Sequence, residues 1–108
     1  MEKNLGELEQ LVLLALLRLG DDAYGVTVHQ EIQSRTGRNM SFATIYTTLS
    51  RLEGKDFVQS YVGDPTPERG GRAKKHFEIT TTGKQALQQS IRALRTMSRG
   101  LDAKWGTP

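Results

Sequence analysis

The sequence predicts a mainly α-helical protein carrying one small β-hairpin, and three observations support that prediction. Apolar residues recur at the helical period along four stretches of the chain. Two short runs, Phe57–Val62 and Lys75–Ile79, are instead rich in aromatic and β-branched residues and roughly alternate, as paired strands do. Glycines or hydroxyl-bearing residues punctuate the junctions between these segments.

The first helix opens at Asn4-Leu5-Gly6-Glu7, which reads as a capping box with Asn4 as N-cap and Glu7 at the third helical position. Leu5, Leu8, Leu11, Val12, Leu14, Ala15 and Leu19 follow at helical spacing, Leu13, Leu16 and Leu17 fill the other faces, and Gly20 ends the helix. A surface helix should show one apolar stripe, yet this one is apolar nearly all round between Leu11 and Leu17. A small domain covers one side of such a helix, and a second copy of the chain is the simplest cover for the other. Asp21-Asp22 then caps a second helix, Ala23 to Thr36, closed by Gly37. Its buried line is Tyr24, Val28 and Ile32, and Gly25 allows close approach of a neighbouring helix. His29 is a lone helical histidine, a pattern that fits packing better than metal binding or catalysis.

After the short turn Gly37-Arg38-Asn39-Met40, residues 41–52 form a third helix. Phe42, Ile45, Leu49 and Leu52 make its apolar stripe, with Ser41 as a capping hydroxyl. The opposite face carries Ser41, Thr44, Thr47, Thr48 and Arg51, mostly short hydrogen-bonding side chains able to approach base edges without crowding a groove. Helix, short Gly-containing turn, helix is the helix-turn-helix signature. The hairpin follows at once, and the loop joining its strands holds two prolines and three glycines. From Arg69 to His76 there are four positive charges, Arg69, Arg72, Lys74 and Lys75, and no acid. A groove-sized helix followed by a basic hairpin is the layout of a winged helix-turn-helix.

Beyond the hairpin, Thr80-Thr81-Thr82-Gly83 offers capping hydroxyls to a last long helix. There Leu87, Ile91, Leu94, Ser98, Leu101 and Trp105 are spaced 4-3-4-3-4, a heptad line with Met97 beside it, weakened by Ser98 and by Gly100. The expected organisation is a winged-helix DNA-binding domain over residues 1–80 and a C-terminal dimerisation helix over 81–108. The dimer interface is expected to use Leu8, Leu11, Val12, Leu87, Ile91, Leu94, Leu101 and Trp105.

Bulk properties agree. A chain of 108 residues holds one modest core. Residues 1–62 carry six Lys/Arg against eight Asp/Glu, whereas residues 63–108 carry nine against four, so the positive charge lies where a polyanion would be met. There is no cysteine, hence no disulfide and no thiolate metal ligand. The apolar run Leu11–Leu17 follows an acidic start and is too short to span a bilayer, so neither signal peptide nor membrane segment is expected and the cytoplasm is the default location.

Five stretches together resemble the PadR family of bacterial transcriptional regulators, in particular its short-tailed branch: LGELEQLVLLALL (5–17), AYGVTVHQEI (23–32), SFATIYTTLSRLEGKDFV (41–58), GDPTPERGGRAKKHFEIT (63–80) and TTGKQAL (81–87). The Tyr24-Gly25 pair, the Ile45-Tyr46-x-x-Leu49-x-x-Leu52-Glu53 pattern and the aromatic-x-Ile-Thr-x-x-Gly ending of the wing are jointly specific. The resemblance implies a homodimeric winged-helix repressor of an inverted-repeat operator in double-stranded DNA, dimerised through its first and last helices. It implies that residues Ser41 to Arg51 read bases, that Tyr46 contacts a phosphate, and that Arg69 to His76 form the wing tip and flank. The DNA-contacting set is therefore Ser41, Thr44, Tyr46, Thr47, Arg51, Arg69, Arg72, Lys74, Lys75 and His76. Family members often bind a small planar hydrophobic or aromatic effector between subunits, which makes Trp105 either an anchor on the partner's first helix or a wall of an effector pocket. The chain departs from the family in two places. Asp56 stands where glycine is usual at the turn out of the reading helix, with Gly54 available to take part of that role, and His76-Phe77 stands where tyrosines are frequent.

Two other classes compete. An enzyme would need a site, and two distant histidines without cysteine or any Ser/His/Asp or metal-ligand spacing offer none; neither cofactor nor metal is expected. Gly70-Gly71-Arg72 lies inside a hairpin rather than between strand and helix, where phosphate-cradling loops occur. A winged-helix protein–protein interaction module without DNA binding is the stronger alternative. Protein interfaces deplete lysine at their centres, whereas a phosphate-seeking wing concentrates cations, and the loop charge favours DNA.

Overall fold

Helix α1 (Glu7–Leu19) forms along the apolar run and becomes the centre of the core. The computed structural model describes residues 4–63 and 74–106. A 3-10 turn over Gly20–Asp22 leads to α2 (Gly25–Thr36), α3 (Phe42–Gly54), strands β1 (Val58–Val62) and β2 (Lys75–Ile79), α4 (Thr81–Ser98) and the short α5 (Asp102–Trp105). Val12, Leu13, Ala15 and Leu16 of α1 are buried against Val28 and Ile32 of α2, Ile45, Leu49 and Leu52 of α3, Phe57, Val58, Phe77 and the Leu87 side chain of α4. Val12 and Leu87, expected at the dimer interface, therefore lie in the chain's own core. Leu8, Leu11 and Ile91 are partly buried and pack against that core.

Helix α1 starts two residues later than the Asn4–Glu7 pattern suggests. Gly6 is the N-cap, and its N–H donates to the Glu9 carboxylate at 2.9 Å. Glu9 is held there because Lys55, at the end of α3, donates to both its oxygens at 2.8 and 3.0 Å. Glu7 instead pairs with Arg38 in the turn after α2, at 2.6 Å, and this exposed pair lowers the Glu7 carboxyl and raises the Arg38 guanidinium through their hydrogen bond and mutual charge.

The second helix also begins late. Ala23 and Tyr24 are extended rather than helical, because they pair with the wing: Phe77 N–H donates to Ala23 O at 2.9 Å, and Tyr24 forms an antiparallel bridge with His76. With the main chain committed to that pairing, α2 can start only at Gly25, where Thr27 Oγ1 accepts from the Tyr24 N–H at 3.0 Å. Gly37 closes α2 in the left-handed conformation expected of it. The turn out of α3 is resolved by Asp56, which adopts φ 64° itself while Gly54 remains the last helical residue; Asp56 thus takes the role that the sequence offered in part to Gly54.

The hairpin pairs Val58 with Ile79 through Val62 with Lys75 in antiparallel register. Val58 and Phe77 face the core. Helix α4 is capped by Thr80, whose hydroxyl accepts from Gly83 N–H at 3.0 Å, and Gly83 permits a contact no side chain could: a Cβ there would lie 2.2 Å from Phe57 O. The heptad line does not run on one helix. Helix α4 ends at Ser98, Arg99 is extended and Gly100 has φ 81°, so Leu101 and Trp105 lie on a separate turn around α5. Leu94, Met97 and Trp105 are 60%, 79% and 66% exposed, and with the 47% exposed Leu17 of α1 they leave an apolar surface uncovered in the isolated chain. A groove of about 270 Å³ between α1 and α4 is lined there by Leu14, Leu17, Leu87 and Ile91, with Arg92 and Arg95 at its edge.

The Glu9–Lys55 pair ties the start of α1 to the end of α3 and is mostly shielded from solvent. Burial alone would push the Glu9 carboxyl up, but the Lys55 and Gly6 hydrogen bonds and the nearby cations hold it below its ordinary 4.5. A carboxyl so depressed stabilises the fold fully above its ordinary value and loses that contribution as pH falls through the lower folded value. Glu9→Gln should therefore reduce stability at neutral pH by about 1–2 kcal/mol. In thermal melts from pH 7 to pH 3, the gap between wild type and variant should close on acidification.

Candidate nucleic-acid interface

Helix α3 is fixed on its inner side by Ile45, Leu49 and Leu52, all fully buried. At 3.6 residues per turn the direction opposite these three falls on Ala43, Thr47 and Ser50, and all three are exposed. Tyr46 borders this face on the side of α2, and Thr44 and Arg51 border it on the other; each is exposed. The exposed face is thus rotated from the one drawn from threonine positions alone. Thr48 belongs to the core side: it is 4% exposed, and its hydroxyl donates to Thr44 O at 2.8 Å. Ala43 and Ser50 were legible as the positions diametrically opposite Ile45, Leu49 and Leu52, a signal that a search for polar residues passes over.

Phe42 departs from the expected apolar stripe. It is 47% exposed and stacks on His29 of α2 with ring centroids 4.5 Å apart. His29 accordingly packs against an aromatic ring at the surface. Ser41 has its hydroxyl engaged as the N-cap of α3, accepting from Thr44 N–H at 3.1 Å and lying 2.9 Å from Thr44 Oγ1.

The wing side of the interface is built on a row of rings. His76 lies between Tyr24 and Tyr61, with centroids 5.4 Å from each, and its Nδ1 is 3.0 Å from Lys74 O. Lys74 Nζ sits 4.1 Å above the Tyr24 ring. Lys75 is exposed on the strand edge beside it. Arg69 and Arg72 lie outside the described residues. Of the expected set, the fold brings Tyr46, Lys74 and Lys75 to one niche of about 210 Å³, together with Tyr24 and Val26. Thr44, Thr47 and Arg51 remain on the face of α3 turned away from the core. This arrangement offers hydroxyl groups on one helix and ammonium groups alongside it.

Comparison with known proteins bears on this geometry. The family model described as the transcriptional regulator PadR-like family matches residues 13–89, from the middle of α1 to the middle of α4. The chain belongs to the PadR-like family of transcriptional regulators. Transcriptional regulator Rv3488 of Mycobacterium tuberculosis is 35% identical over 81 residues, covering 73% of this chain and 69% of that protein. An uncharacterized protein of Lysinibacillus sphaericus is 34% identical over 89 residues, covering 81% of this chain and 77% of its own length. Among solved structures, a PadR family transcription regulator from Clostridium difficile R20291 superposes with a TM-score of 0.78 at 23% identity, covering 94% of this chain and all of that one. A PadR-like transcriptional regulator from Bacillus cereus gives 0.76 at 17% identity, covering 94% and 93%. At such identities the structural likeness is one of fold, and it matches the expected winged helix with a long C-terminal helix.

The PadR-like chain commits the Ser41 hydroxyl to helix capping, and this has a measurable consequence. Ser41→Ala should lower stability by about 1 kcal/mol, the usual loss for an N-cap hydroxyl. Thermal or urea unfolding monitored by circular dichroism checks it.

Proposed function

We propose that this PadR-family regulator is a homodimeric DNA-binding repressor whose α3 enters the major groove while the hairpin lies on the adjacent backbone. The observation that carries the reading is the pairing of two unlike surfaces. The exposed face of α3 bears Thr44, Thr47, Ser50 and Arg51, small or extended hydrogen-bonding groups suited to base edges. Lys75, the first residue of β2, and Lys74 just before it stand next to that face, where they would meet phosphates. In this reading Arg69 and Arg72 of the connecting loop extend the same contact.

The homodimer is supported by the uncovered apolar surface of Leu17, Leu94, Met97 and Trp105, which a second copy would bury. Leu8, Leu11, Ile91 and Leu101 would lie at its margin, and Val12 and Leu87 would support it from the core. Residues 1–80 would then serve as the DNA-binding unit and 81–108 as the dimerisation segment. Trp105, exposed on its own short turn, would face the partner, where its indole can pack on the other subunit or stack on a small aromatic effector that releases DNA. Among the described residues no helix is long and apolar enough to cross a membrane.

A duplex selected from random fragments tests the reading, with affinity measured across a series of salt concentrations. Wild type should show a steep linear dependence of log K on log salt. Replacing Arg69, Arg72, Lys74 and Lys75 together by Ala should flatten it by about one unit of slope for each phosphate that is no longer neutralised. An unchanged slope would remove the wing from the interface. Failure of wild type to retain any duplex at low salt would favour a protein-binding winged helix.

A further inference from the structure

Gly25, the first residue of α2, is buried, and a tyrosine from α3 lies directly against it. A Cβ built on Gly25 would lie 2.1 Å from the Tyr46 hydroxyl oxygen, 2.3 Å from Cζ and 2.8 Å from Cε1. The three nearest atoms all belong to that one side chain, and no side-chain carbon could sit so close to them. Tyr46 is itself 45% exposed, so the core does not hold it. The ring is seated by a slot that exists because residue 25 has no side chain.

The seated phenol borders the niche formed with Tyr24, Val26, Lys74 and Lys75. Lys74 is steadied there by the Tyr24 ring beneath its ammonium group. Three residues that line this space of about 210 Å³, Tyr46, Lys74 and Lys75, bear one hydroxyl and two ammonium groups, the Lys75 ammonium lying 5.5 Å from the Phe77 ring centroid, and among the described residues no acidic side chain lines it. A donor set of this kind fits a compact oxyanion. We propose that Gly25 is a positioning residue: it seats the Tyr46 hydroxyl beside Lys74 and Lys75, so that the reading helix and the wing grip the same phosphate of the DNA backbone. This rests on the DNA-binding reading above.

The proposal separates position from stability. Alanine is a better helix former than glycine, and the atoms it would meet are the far end of a half-exposed side chain that can swing outward. Gly25→Ala should therefore fold while displacing the hydroxyl. A purely structural glycine would show the reverse, a loss of stability with no specific effect on DNA.

The test is a double-mutant cycle on the selected duplex with wild type, Gly25→Ala, Tyr46→Ala and the double variant, each also melted thermally. Gly25→Ala should melt close to wild type and bind about three- to tenfold more weakly, the equivalent of one hydrogen bond. Its sequence preference should not change, since a phosphate contact carries no base information. The double variant should bind no more weakly than Tyr46→Ala alone, because the two changes remove the same contact. Wild-type affinity in Gly25→Ala, or losses that multiply in the double variant, would overturn the proposal. Should Gly25→Ala fail to fold, the double variant decides: with the ring gone it should fold and bind as Tyr46→Ala does, and a second failure to fold would assign Gly25 to helix packing instead. Absence of wild-type binding to any duplex would remove the DNA reading itself, a result distinct from a wild-type-like Gly25→Ala.

Discussion

Burial of one side of α1 is the interaction on which the rest of the structure depends. Val12 and Leu13 have no exposed surface, and Ala15 and Leu16 have almost none. Each fully buried aliphatic side chain is worth about 1.5–3 kcal/mol relative to exposure, so these residues make α1 the common floor for α2, α3, the hairpin and α4. The same helix is apolar on its other side, and a chain with one small core has nothing left to cover it. Leu14 and Leu17 therefore open onto the groove against Ile91 of α4. One helix thus sets both the internal packing and the surface on which the proposed dimer rests.

The wing is held to this core by main chain rather than by side-chain burial alone. The Phe77–Ala23 hydrogen bond and the Tyr24–His76 bridge extend the two-stranded hairpin onto the segment just before α2. A two-stranded hairpin is marginal by itself in water. Docked in this way, and with Phe77 and Val58 in the core, it becomes part of the frame that carries α3. The relative position of Lys74 and Tyr46 is then a property of the fold and not of a loose loop. That is what allows a helix and a strand far apart in sequence to line one niche.

Much of this was legible in the residues. The helical periods marked four helices, the aromatic and β-branched runs marked both strands, and the hydroxyl of Ser41 marked the start of α3. Two of the errors, at the starts of α1 and α2, came from long-range partners that local patterns do not reveal. Asn4 looks like a cap until Lys55, more than forty residues away, fixes Glu9 as the side chain that folds back on Gly6. Ala23 and Tyr24 suit a helix until the wing draws them into an extended pairing. Phe42 fits the apolar stripe but lies at its edge, where His29 is a sufficient neighbour and the core is out of reach. The heptad line through Leu94 to Trp105 has the right spacing and the wrong backbone: α4 ends at Ser98, Arg99 is extended, and Gly100, which the sequence already marked as a weak point of the line, follows with a positive φ. At the candidate interface, the loop charge singled out Lys74 and Lys75 and the family resemblance Tyr46, while a choice made by polar residue type drew in Thr48, which faces inward, and passed over Ala43 and Ser50, which lie opposite the buried stripe.

In the proposed function α3 is the reading element of a two-fold symmetric dimer, and a hydroxyl-radical footprint on a duplex selected from random fragments tests that most directly. Two-fold symmetry requires two equivalent protected half-sites in inverted orientation, with centres about 34–36 Å apart along the duplex or a multiple of that spacing. Protection of a single half-site, with no symmetric counterpart at any protein concentration that saturates binding, would contradict it.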